Sequence, residues 1–147
     1  MDQGLTRKQI SEVTGLLYKQ VQILTEQCGI EPDNKEESRG QGKMRRYSIN
    51  RVIDFFLAKE LLENHGMSFK KIAFVFDYLH NLNPLVIYNS IELLNTEIYL
   101  YIFYRTDGDI WIQRRPRENL LTREDWQGVS SVIVVNFGYM ITQARGR

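Results

Sequence analysis

The chain has a single cysteine, Cys28, among its 147 residues. One thiol permits no internal disulfide, and this usage suits a reducing compartment. Its two histidines, His65 and His80, lie far from Cys28 in sequence, so no site of clustered thiolates and imidazoles is expected. No apolar stretch is long enough to cross a bilayer. The opening residues, Met1-Asp2-Gln3-Gly4-Leu5-Thr6, lack the basic-then-apolar pattern of a signal peptide, and a cytoplasmic location is the expectation. Net charge is scarce as well, since 19 basic and 18 acidic side chains leave +1. The sequence also lacks internal repeats, a glycine-rich phosphate loop and any nucleophile–base pair that spacing would bring together. Neither catalysis nor a cofactor is expected.

What the chain has is charge segregation. The acids Glu31, Asp33, Glu36 and Glu37 precede a basic, glycine-punctuated stretch from Arg39 through Gly40, Gly42, Lys43, Met44, Arg45 and Arg46 to Tyr47-Ser48. Five cations (Arg39, Lys43, Arg45, Arg46 and Arg51) stand in this region with no acid between them. A loop carrying cations and a tyrosine, fixed to the start of a helix, can reach a phosphate backbone. The plain alternative is a solvated surface loop. Double-stranded DNA is the expected partner.

Along the chain, Thr6 caps a short helix, Arg7 to Val13, and Gly15 supplies a turn. A second helix, Leu17 to about Gln27, is expected to bury Leu17, Val21 and Leu24 and to end at Gly29 and Pro32. Residues 31 to 42 form a polar loop, and Met44 to Ser48 a returning wing strand. A third helix runs from Asn50, its expected cap, to Asn64, with Gly66 as its stop. Ser68 caps a fourth, Phe69 to Leu79, with Ile72, Val75, Phe76 and Leu79 facing inward. Composition changes at Asn81-Leu82-Asn83-Pro84, which divides a domain of residues 1–80 from one of 84–147. Beyond it, Pro84 to Leu94 reads as a short helix. Ile98 to Arg105 and Ile110 to Gln113 read as strands around a tight turn. Val132 to Phe137 is a third strand, with a possible extension to Ile141, and Thr122 starts a short helix. The expected fold class is α+β: a mostly α-helical winged helix-turn-helix, then a small antiparallel sheet with one helix.

The first half resembles the DNA-binding domain of MerR-family transcription regulators over roughly Leu5 to Leu79. The resemblance rests on Thr14-Gly15-Leu16, on Gly29-Ile30-x-Pro32, on Arg45-Arg46-Tyr47-Ser48, and on Gly66-Met67-Ser68-Phe69-Lys70-Lys71-Ile72. It implies a bacterial regulator whose recognition helix enters the major groove, bound as a two-fold dimer on a palindromic site. It puts Lys19, Gln20 and Gln22 at groove-facing positions, and Arg45 and Tyr47 at wing contacts to phosphate. The family's Arg-Tyr-Tyr run is replaced here by Gln22, Ile23 and Leu24. Its long dimerisation helix has no counterpart after Leu79.

Read residue by residue, Gln20 and Gln22 suit adenine edges and Lys19 suits guanine. Lys43 and Arg45 would neutralise phosphates, which positions a protein without reading sequence, and Arg39 is a further candidate DNA contact. Arg46 either packs its stem on the third helix or pairs with Asp54, while Tyr18 either packs on the wing or touches a base. The strand Ile98 to Arg105 has two apolar faces. Tyr99, Tyr101 and Phe103 form the one expected to dimerise or to take a small-molecule or protein effector. The competing function is a protein-interaction adaptor with a degenerate helix-turn-helix and little affinity for DNA.

Overall fold

In a computed structural model of the chain, the structure describes residues 4–33, 45–82, 98–116 and 121–146. Arg39, Lys43, most of the expected wing and the expected helix from Pro84 to Leu94 lie outside the described residues. The fold is α+β, with helices first and a three-stranded antiparallel sheet after them. The chain forms two compact units, one up to Phe76 and one from Asp77 to Gly146.

In the first unit, α1 (Arg7–Thr14) opens with a reciprocal cap. Thr6 Oγ1 accepts from the Gln9 amide at 3.3 Å, and Gln9 Oε1 accepts from the Thr6 amide at 2.9 Å. The helix ends at Gly15, whose φ of 82° is the left-handed conformation that glycine adopts without penalty. Helix α2 (Tyr18–Cys28) follows after three residues, Gly15 to Leu17, and buries Val21, Leu24, Thr25 and Cys28. Leu17 is not part of this stripe. The helix begins one residue later than its apolar spacing suggests, so Leu17 is extended and 68% exposed.

Helix α3 (Ile49–Glu63) fills the centre of the unit with Val52, Ile53, Phe55, Leu57, Ala58 and Leu61. Its cap position is Ser48, and Asn50 lies inside the first turn. The buried Asp54 is held by Arg51 at 2.8 Å. Helix α4 (Phe69–His80) adds Ile72, Val75 and Phe76 to the buried set.

The second unit is built on β1 (Ile98–Arg105), paired with both β2 (Ile110–Pro116) and β3 (Val129–Asn136) in the order β2-β1-β3. A 3₁₀ turn, Glu124–Trp126, lies between β2 and β3, with Thr122 Oγ1 accepting from the Asp125 amide. Helix α5 (Phe137–Arg145) follows β3 directly. The possible strand extension to Ile141 is thus helical. Asn136 turns the chain, because its side chain accepts the Tyr139 amide at 3.0 Å and so caps a helix.

Register puts Leu100, Ile102, Ile112 and Val135 on one buried face of the sheet. Helix α5 packs on β1 and buries Phe137, Met140, Ile141 and Ala144. On the opposite face Trp111 and Val134 remain exposed, while α5 and the aliphatic face bury each other among the described residues.

Candidate nucleic-acid interface

The turn between α1 and α2 is fixed by side chains as well as backbone. Ser11 Oγ donates to the Leu16 carbonyl at 2.6 Å, and the Leu16 amide donates to Thr14 Oγ1 at 3.2 Å. Leu16 itself is buried, so it anchors the turn in the core. A Cβ on Gly15 would stand 3.1 Å from Lys59 Nζ. The Lys59 ammonium therefore lies over the C-terminal end of α1, where the helix dipole favours a cation. Such a turn holds the outer face of α2 in one orientation.

That face carries Tyr18, Lys19, Gln20 and Gln22. Lys19 is exposed and Tyr18 is 52% exposed, both available to a partner. Gln20 is half-buried and already committed, since its Oε1 accepts the Leu17 amide at 2.9 Å and caps α2. Reading an adenine with both ends of Gln20 would uncap the helix. Gln22 donates to Glu26 one turn on at 3.4 Å, a weak exposed contact that a base edge can replace.

The base of the segment from 34 to 44 is closed by backbone bonds. Leu5 and Tyr47 exchange both of theirs, at 2.9 and 2.8 Å, and the Asp33 amide donates to the Arg46 carbonyl at 2.9 Å. Asp33 Oδ1 also accepts the Ser48 amide at 2.9 Å. Arg45 emerges exposed from this base, whereas Arg46 is half-buried. The alternation then takes Tyr47 inward.

Tyr47 is fully buried, which corrects the expectation that it touches phosphate. Its ring meets Phe55 edge-on at 5.2 Å. Its hydroxyl lies 2.7 Å from Thr25 Oγ1 on α2 and accepts from Arg7 Nε at 3.2 Å. Burial opposes the charge on Arg7, yet the bond to Tyr47 and the nearby phenol of Tyr18 outweigh it and raise its pKa. Tyr47 thus ties its bridge with Leu5 to α1 and α2. No role for Arg7 is legible in the sequence, because a lone cation at a helix start carries no signal of a distant tyrosine.

Cys28 closes α2, with its thiol donating to the Phe69 carbonyl at 3.3 Å. Burial pushes the thiol up to about 11. Among the described residues no group of three or more His, Cys, Asp or Glu side chains is arranged to hold a metal ion. No helix among them is long and apolar enough to cross a membrane.

The aromatic face of β1 is covered more than the sequence suggests. Tyr101 and Phe103 are buried, while Tyr99 is half-buried. The Arg115 guanidinium lies over the Tyr101 and Phe103 rings at 5.3 and 5.4 Å. It is held there by Gln113 and by Asp125 at 2.7 Å. Trp111 meets Phe103 edge-on and carries Arg105 over its own ring at 5.1 Å. On this face the expected contact residues Tyr101 and Phe103 lie beneath their own chain, and Trp111 and Val134 reach solvent instead.

No protein-family model matches the chain, and no curated protein does.

Proposed function

We propose that the protein is a sequence-specific double-stranded DNA-binding regulator of transcription, similar to the MerR family in its first unit, cytoplasmic and without catalytic activity. The observation that carries this reading is the outer face of α2. Its turn is fixed by Ser11, Thr14 and Leu16, and its exposed Lys19 stands on the same compact unit as the exposed Arg45. A rigid helix with a cation toward solvent fits a major groove, and a flanking cation fits the adjoining phosphates. Palindromic reading calls for a homodimer. The exposed Trp111 and Val134 on the sheet of the second unit support a contact there, with an effector as the other occupant.

A second reading, a protein-interaction adaptor, draws on two observations. Gln20 is used as a cap and Tyr47 is buried, so fewer side chains remain to read bases. Selection of a preferred site from random duplex separates the two. On the DNA reading, one site emerges, and Lys19→Ala lowers the preference at one base pair of each half by about 1–3 kcal/mol. An adaptor enriches no site.

A further inference from the structure

Leu17 breaks two local rules at once. It occupies the cap position of α2, where Ser, Thr, Asn or Asp would accept a free amide. It is also the most exposed of the large apolar side chains among the described residues, at 68%. Gln20 has to supply a cap from inside the helix. A position that gives up both capping and burial is a candidate for function.

We propose that Leu17 reads the C5-methyl group of a thymine in the major groove, which makes it a determinant of sequence preference. The inference rests on the duplex-DNA reading of α2. Recognition helices touch base edges with their leading residues, and Leu17 stands immediately ahead of Tyr18, the first residue of α2. The methyl of thymine is the apolar group that a base pair offers in that groove. Leu17 is also held in place. Its amide is bonded to Gln20, and Leu16 beside it is buried and bonded to Ser11 and Thr14. A side chain on so fixed a backbone loses little freedom on contact.

A second copy of the chain is the poorer occupant. Leu17 is followed by the exposed Tyr18 and then by Lys19, Gln20 and Gln22, and a stable interface needs roughly 1,000 Å² or more around a desolvated apolar centre. One leucine and one tyrosine, followed by polar side chains, do not make such a centre.

The test uses the full chain and a duplex site selected from random sequence. Each thymine is replaced singly by deoxyuridine, which removes the methyl and keeps the hydrogen-bonding pattern. One thymine per half-site should lose about four-fold in affinity, the equivalent of one buried methyl group. Leu17→Ser and Leu17→Ala should bind the thymine and uracil duplexes equally. Leu17→Ser should melt no lower than the parent, because serine is the better cap. The inference is overturned if the parent ignores every uracil replacement, if the selected half-sites hold no thymine, or if both variants keep the thymine preference. Loss of self-association in Leu17→Ser without a thymine effect would assign the residue to a second copy. A parent that binds duplex with no such preference refutes only the role of Leu17. Failure to bind any duplex refutes the DNA reading itself.

Discussion

Tyr47 shows how far a single side chain can depart from its neighbourhood in sequence. It follows two arginines, yet its hydroxyl joins Thr25 and Arg7 inside the first unit. Tyr47→Phe leaves those partners unsatisfied and should cost about 1–3 kcal/mol in urea unfolding. Because the ring is buried, the same variant should leave the salt dependence of DNA binding unchanged. The presence of a tyrosine at this point was legible, but its direction was not. A run of cations advertises a surface, and only the backbone pairing of Leu5 with Tyr47 fixes which side chain turns inward. Gly4 depends on the same pairing. Its φ is 81°, and a Cβ there would stand 2.5 Å from the Tyr47 carbonyl oxygen. An unstrained exchange of glycine for alanine stabilises by about 0.4–1 kcal/mol, whereas Gly4→Ala should destabilise by more than that, read as a fall in melting temperature.

At the scale of elements, helices α1 to α4 were legible because each has its own apolar period and its own stop. The start of α2 was misread by one residue, and that put Leu17 inside rather than outside. Helix α5 was missed because Val132 to Val135 prolongs a strand pattern into it. The deciding residue is Asn136, whose cap acts on the helix side only. Asn136→Ala should cost about 1 kcal/mol in the unfolding of the second unit.

The Arg115–Asp125 pair over the β1 aromatics adds a dependence on pH. The Arg115 guanidinium, with help from Thr122, holds the Asp125 carboxyl well below the usual carboxylate range. A carboxyl lowered in the folded state stabilises above its unfolded pKa of about 3.9, and this is lost as pH falls toward the folded value. The urea midpoint of the parent should thus drop more steeply below about pH 4 than that of Asp125→Asn. Parallel curves would show that the pair contributes nothing to folding.

At the scale of the whole molecule, the chain forms one unit up to Phe76 and another from Asp77 to Gly146, while its composition changes at Asn81-Leu82-Asn83-Pro84. A compositional break marks where side-chain character changes, whereas a unit ends where packing does. The first unit has its own core in Ile10, Val21, Leu24, Val52, Ile53 and Phe55. Residues 1–80 should fold alone. With a dimer contact in the second unit, they should bind duplex about 10²-fold more weakly than the full chain. The central claim is that the first unit holds DNA through cations on a helix-turn-helix. The most direct measurement is the affinity of the full chain for random duplex over a range of salt, for the parent and for Arg45→Ala. The account predicts that log affinity falls linearly with log salt, and that Arg45→Ala weakens binding to all sequences alike and flattens the slope by about one unit. Affinity that ignores salt, or an unchanged slope in Arg45→Ala, would contradict it.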